Sequence, residues 1–151
     1  MIAILDTGGN ISSVLHAFRR LGHEAEVTDE PGRADAIVIP GQGRADRVLH
    51  AVPYGMAWEH RPVLGICAGF HVLCRSSEED MPIGIGVFDL DVVRQEPRRG
   101  WADTEFGCMY FCHDYGAGVD HAVKDNFTGV QFHPEKSQDA GLAFLDRWVR
   151  A

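Results

Sequence analysis

The stretch Val63-Leu64-Gly65-Ile66-Cys67-Ala68-Gly69 decides how the rest of the chain is read. Four apolar residues in a row, with no polar alternation, describe a strand covered on both faces, as in a parallel sheet. That strand runs straight into Gly-x-Cys-x-Gly, the cysteine form of a nucleophile elbow. A nucleophile there stands at a sharp strand-to-helix turn with its side chain above the sheet, and the flanking glycines let neighbouring backbone come close. The following helix, expected over about residues 68–74, points its positive N-terminal end at the sulfur and favours the thiolate. The Ala68 N–H is placed to hold an oxyanion. A small buried core cysteine at a strand-to-helix turn fits the same segment.

Working outward, residues 2–5 form a buried strand ending at Asp6, residues 7–10 a turn, and Ile11, Val14, Leu15, Phe18 and Leu21 recur at helical spacing until Gly22 closes the helix. Strands are expected over residues 24–28 and 36–39, the latter stopped by Pro40, Gly41 and Gly43, and a helix over residues 45–59, interrupted by Pro53 and Gly55. The alternation predicts an α/β fold with an open, mostly parallel sheet and flanking helices. The second half, residues 83–132, is more strand-rich, with Val, Phe and Tyr runs broken by Gly and Asp. A final amphipathic helix carries Leu142, Phe144, Leu145, Trp148 and Val149. The polar stretches 75–80 and 94–99 read as loops, and residues 1–151 as a single domain.

Composition narrows the function. The 151 residues carry a formal charge of -8 and are 45% apolar. Such a surface repels phosphate backbones and anionic lipids, so neither nucleic acid nor a membrane is an expected partner. No apolar run approaches the ~20 residues of a bilayer span, and the N-terminal residues do not read as a signal peptide. The four cysteines, Cys67, Cys74, Cys108 and Cys112, are expected as reduced cytoplasmic thiols. Cys108 and Cys112 would lie ~13 Å apart in an extended strand, too far to share an ion, so no metal and no cofactor is expected.

A cysteine nucleophile needs a histidine to move its proton and a third group to hold the imidazole. Far downstream, Gln131-Phe132-His133-Pro134-Glu135-Lys136-Ser137 supplies both. His133 ends an apolar strand expected over residues 130–132, Pro134 stops it, and Glu135 is within reach of the ring. With eight histidines in the chain, His133 taken alone fits a hydrogen-bonded surface or core role better, and the case rests on its pairing with the elbow cysteine. Val38-Ile39-Pro40-Gly41-Gln42-Gly43 places a glycine-rich loop at a strand's C-terminal end, where backbone N–H groups can face developing negative charge. An ordinary Pro-Gly turn would look the same.

Together, Gly65-Ile66-Cys67-Ala68-Gly69 and Phe132-His133-Pro134-Glu135 resemble the class I (triad) glutamine amidotransferases, which have a flavodoxin-like fold. Within that class, Asp6-Thr7-Gly8-Gly9-Asn10, Pro40-Gly41-Gln42-Gly43, Ser77-Glu78-Glu79 and His133-Pro134-Glu135-Lys136-Ser137 are similar to the glutaminase subunit of imidazole glycerol phosphate synthase. The resemblance implies hydrolysis of glutamine for a (β/α)₈-barrel synthase partner in a heterodimer of histidine biosynthesis. It implies Cys67 as nucleophile, His133 as acid–base, Glu135 as its orienter, and an oxyanion site at Gln42, Gly43 and Ala68. By the same resemblance His71, Glu79, His113 and Asp114 bind substrate, and Asn10, Trp101 and Lys136 face the partner.

The chain departs from that pattern in places. It is shorter, chiefly between the elbow and His133. His71 stands where the family carries a glutamine that grips the substrate's amino-acid end, and Asp114 replaces a small hydroxyl residue, adding negative charge beside the substrate. Two other readings stay open: a regulatory relative that binds a synthase without turnover, and a cysteine hydrolase of a different amide.

Overall fold

The computed structural model describes every residue except Asn10, Ala57, Glu59 and Met81. Its first half runs β1 (Ile2–Leu5), α1 (Ser12–Arg20), β2 (Ala25–Thr28), β3 (Ala36–Ile39), α2 (Ala45–Ala51), β4 (Val63–Ile66) and α3 (Ala68–Leu73). The second half runs β5 (Cys74–Ser77), β6 (Phe88–Thr104), β7 (Gly107–Gly116), β8 (His121–Lys124), β9 (Phe127–Val130), a 3-10 turn (Pro134–Lys136) and α4 (Gln138–Arg150).

The six-stranded sheet has the order β2-β1-β3-β4-β9-β8. All its pairings are parallel except β8 with β9. β1, β3 and β4 are buried at every position, as unalternating apolar runs require. Successive side chains point to opposite faces, and two cores result. Ile2, Ile4, Val38, Leu64 and Ile66 pack with Phe18 of α1 and Phe144, Leu145 and Trp148 of α4, joined by Met109 and Phe111 of β7. Leu5, Ile37, Ile39 and Val63 pack on the other side with Val48 of α2 and Phe70, Val72 and Leu73 of α3. Helices therefore cover both faces of a mostly parallel sheet, the architecture expected from the sequence.

Three expectations are corrected. The helix expected over residues 45–59 ends at Ala51, because Val52 precedes a proline and is extended (φ -76°, ψ 119°). The polar stretch 94–99 is strand throughout, and 75–80 is strand through Ser77 and turn beyond it. β5 and β6 pair in parallel, and β6 pairs antiparallel with β7 to form a second, three-stranded sheet. Arg75 of β5 bridges Asp89 and Asp91 of β6, so ion pairs replace the apolar alternation on which the strand reading relied. The β6–β7 register slips between Arg94 and Arg98, around Pro97, which cannot donate to a ladder. The strand before His133, expected over residues 130–132, is β9 and ends at Val130; beyond it the His133 N–H donates to the Tyr110 carbonyl of β7 at 2.8 Å.

The elbow glycines are required by space. A Cβ on Gly69 would sit 1.9 Å from the Ile39 carbonyl oxygen, and one on Gly41 would sit 2.0 Å from the Ile66 carbonyl oxygen. β3 and its loop thus lie against the turn that carries Cys67. Gly69→Ala forces backbone to move, so we expect Tm to fall by ~5 °C or more; an unchanged melting curve would show that the elbow gives way without cost.

Candidate active site

Cys67 follows β4 and sits at φ 50°, ψ -108°, outside the regions that L-residues ordinarily occupy. Such strain costs on the order of 1–3 kcal/mol and persists only where surrounding bonds fix it. Here the Cys67 N–H donates to the Val130 carbonyl at 2.8 Å, and its own carbonyl accepts from the His71 N–H at 3.0 Å, holding the residue between β9 and α3.

β4 and β9 are neighbours, with Ile66 opposite Val130. Their C-terminal continuations bring Cys67 and His133 to the same cavity, close enough for the sulfur to favour charge on the ring. His133 Nδ1 lies 2.8 Å from Glu135 Oε1, and these side chains are only 3% and 2% exposed. The ring's backbone is pinned as well. The His133 carbonyl accepts from Ser137 Oγ at 2.6 Å, and Ser137 Oγ accepts from the Tyr110 N–H at 2.9 Å. Burial opposes charge on the His133 ring, but the neighbouring Cys67 sulfur and the hydrogen-bonded Glu135 carboxylate outweigh it and hold the ring well above the ordinary histidine range.

A cavity of ≈ 400 Å³ opens at this point. Cys67, Ala68 and His133 line it, with Gln42 and Gly43 from the loop after β3. His71, Glu79, His113 and Asp114 complete the wall, so every residue expected to be catalytic, oxyanion-binding or substrate-binding except Glu135 borders one space; Glu135 stands behind His133. Lys136, expected at the partner face, also lines this cavity. Trp101 lies on β6, half exposed, edge-on to Tyr110. The third expected partner residue, Asn10, is outside the described residues.

The substrate-side residues have unexpected partners. Asp114 does not present a bare negative charge: Arg99 of β6 donates to its Oδ1 at 2.6 Å and to the His113 carbonyl at 3.0 Å. Burial raises Glu79, helped by the neighbouring Asp80 carboxylate. His71 is 2% exposed, and its Nε2 lies 2.9 Å from Gln131 Oε1. Burial drives its pKa down to about 4 against the opposing pull of that bond. Burial likewise lowers His113, whose Nδ1 lies 2.9 Å from the Tyr115 carbonyl. Cys74 is core, its thiol pushed up to about 12 by burial. Among the described residues no cluster of three or more His, Cys, Asp or Glu could hold a metal ion, and no helix is long and apolar enough to cross a membrane.

Sequence reasoning missed Arg44 and Arg99 in the cavity wall and Gln131 behind the sulfur. Arg99 faces Cys112 across the β6–β7 ladder, which only the register reveals. Gln131 precedes His133 by two residues, a spacing that puts both on one face of an extended chain. That signal was available.

No protein-family model matches the chain. Among curated relatives, an imidazole glycerol phosphate synthase subunit HisH of Bacteroides fragilis is 36% identical over 186 aligned positions, covering 93% of this chain and 94% of the relative. The corresponding subunit of Methanothermobacter thermautotrophicus is 33% identical, covering 99% of this chain and 98% of its own. The chain belongs to the HisH family of imidazole glycerol phosphate synthase subunits. Because 186 aligned positions exceed the chain's 151 residues, family relatives carry internal segments that it lacks. Among solved structures, one described as a glutamine amidotransferase superposes with a TM-score of 0.68 at 18% identity, covering 99% of both chains. A Thermoplasma acidophilum structure described as that of a GMP synthase protein gives 0.71 at 17% identity, covering 99% of this chain and 92% of its own. At those identities the likeness concerns the fold.

The depressed His71 has a measurable consequence. It stays neutral in the folded chain down to about 4, whereas an unfolded histidine takes its proton near ~6.5. Between those values the unfolded chain binds more protons, so stability rises with pH across that window and is lost as pH falls toward 4. His71→Gln should make the acid limb of a urea-midpoint profile shallower, with His113, His121 and the partnered carboxylates Asp35, Asp46, Asp91 and Asp146 supplying the slope that remains. An unaltered slope would mean that His71 does not titrate as its burial dictates.

Proposed function

We propose that the chain is one glutamine amidotransferase domain that hydrolyses glutamine to glutamate and ammonia and passes the ammonia to the synthase partner of imidazole glycerol phosphate synthase, in histidine biosynthesis. One observation carries this reading: a cysteine strained above the sheet and a buried histidine–glutamate pair stand at the ends of two adjacent parallel strands, open to one cavity. The family supplies the substrate, since relatives spanning nearly the whole chain are subunits of that synthase.

In this reading the Cys67 thiolate attacks the side-chain amide carbon. The C–S bond forms, the carbonyl oxygen takes negative charge, and backbone N–H groups at Gln42, Gly43 and Ala68 receive it. The His133 imidazolium protonates the departing nitrogen, ammonia leaves, and a thioester remains. His133, now neutral, takes a proton from water as the new C–O bond forms. The C–S bond then breaks, releasing glutamate and restoring the thiolate beside an imidazolium. Glu135 fixes the ring and offsets its charge through both steps.

The amino-acid end of glutamine meets Arg99, His113, Asp114 and Glu79, with His71 in the wall behind. The Arg99–Asp114 pair offers both charges that a zwitterion requires. Trp101 and Lys136, with Asn10, are assigned to the face that docks a (β/α)₈-barrel subunit. The acidic composition and four unpaired cysteines fit a cytoplasmic enzyme without nucleic-acid or membrane partners.

A glutaminase assay with and without a barrel synthase subunit tests the reading. Cys67→Ala should abolish ammonia release while its circular dichroism stays that of the parent chain. Ammonia from the parent chain only with other amides would instead identify a different cysteine hydrolase, and none under any condition a non-catalytic relative. Arg99→Gln should raise KM for glutamine about tenfold, with kcat within about twofold, because it removes a charged hydrogen bond remote from the reacting atoms. A loss confined to kcat would remove Arg99 from substrate recognition.

A further inference from the structure

Behind the sulfur lies a polar group that the reaction scheme leaves unused. Gln131 is 1% exposed, and its Nε2 donates to Cys67 Sγ at 3.6 Å. Its Oε1 lies 2.9 Å from Nε2 of the equally buried His71. A carboxamide oxygen only accepts, so His71 Nε2 must be the donor and carry the ring proton. His71 Nδ1 is then the bare nitrogen, and it has no hydrogen-bond partner among the described residues.

We propose that Gln131 is a further catalytic residue whose amide N–H holds the Cys67 sulfur as a thiolate, and that His71 is the positioning residue that keeps this end of the amide turned to the sulfur. This rests on Cys67 being the nucleophile. Turned about, the amide would present its oxygen to the sulfur, which suits a thiol and repels a thiolate. The His71 N–H blocks that arrangement, because the amide nitrogen would then face another donor. The ring's low affinity for a second proton keeps it neutral, so the relay adds no charge behind the sulfur. His113 faces His71, and His133 faces Cys67 from the end of the neighbouring strand. Arg99, Asp114, Glu79 and Lys136 line the cavity in front.

Iodoacetamide alkylation of Cys67 in the full chain, followed by peptide mass spectrometry at pH 6 and pH 9, tests the relay without glutamine, so it can fail independently of the glutaminase reading. Gln131→Met should alkylate about tenfold more slowly at pH 6 and within about twofold of the parent at pH 9, the pattern of a lost charged hydrogen bond. His71→Phe should slow the pH 6 reaction about threefold, and the double variant should be no slower than Gln131→Met alone. His71→Gln should stay within about twofold of the parent, since an amide N–H can replace the ring donor. Parent-like alkylation of Gln131→Met at pH 6, or equal slowing at both pH values, overturns the proposal. Effects that multiply in the double variant remove His71 from it. Should Gln131→Met not fold, the ¹⁵N shifts of His71 in the parent chain decide: the Nε2–H tautomer supports the relay, and the Nδ1–H tautomer overturns it.

Discussion

Two parallel strands, β4 and β9, lie hydrogen-bonded side by side with Ile66 opposite Val130, and everything at the cavity is positioned by that pairing. Residues far apart in sequence arrive together because parallel neighbours end on the same edge of the sheet. The Cys67 N–H spends its hydrogen bond on the Val130 carbonyl, so β9 also clamps the elbow. The loop after β3 then approaches from the other side of β4, so closely that only glycine fits at positions 41 and 69. The strain at Cys67 is therefore held by backbone on three sides, from β9, from the β3 loop and from α3.

Burial alone does not set the charges of the site. His133 and His71 are comparably buried, at 3% and 2% exposed, yet they shift in opposite directions. The difference lies in their partners. His133 faces the Glu135 carboxylate and the Cys67 sulfur, whose attraction exceeds the cost of burying a cation. His71 faces a neutral amide and another imidazole, which cannot offset that cost. One ring is held ready to give a proton away, while the other keeps a single proton on a fixed nitrogen. These are two uses of the same side chain.

The placement of Cys67 and His133 at neighbouring strand ends was legible because its signals are local. Unalternating apolar runs announced the parallel strands, the glycines around Cys67 announced a close turn, and Pro134 marked where the chain leaves the sheet. The β6–β7 hairpin was not legible as a long ribbon. It is largely exposed, its residues are held by ion pairs such as Arg75 with Asp91 and Arg98 with Asp120, and period-2 hydrophobicity does not register such contacts. The Arg99–Asp114 pair has the same origin: Asp114 read alone suggests repulsion of a carboxylate, and only the cross-strand register supplies the cation that reverses the reading.

The groups proposed for chemistry and those proposed for recognition thus sit on different kinds of scaffold. Cys67, His133 and Glu135 hang from a sheet covered on both faces, where a shift of one strand would disrupt two cores at once. Arg99, Cys112, His113 and Asp114 come from an antiparallel ribbon outside that sheet. The ribbon is fastened by Met109 and Phe111 in the core, by Arg98 stacked 3.4 Å over the Phe111 ring, and by Arg98 on Asp120. A ribbon so attached can change its polar residues in register without disturbing the elbow. A change in the ribbon's polar residues, Asp114 among them, therefore alters the cavity wall while the strand ends at Cys67 and His133 keep their geometry.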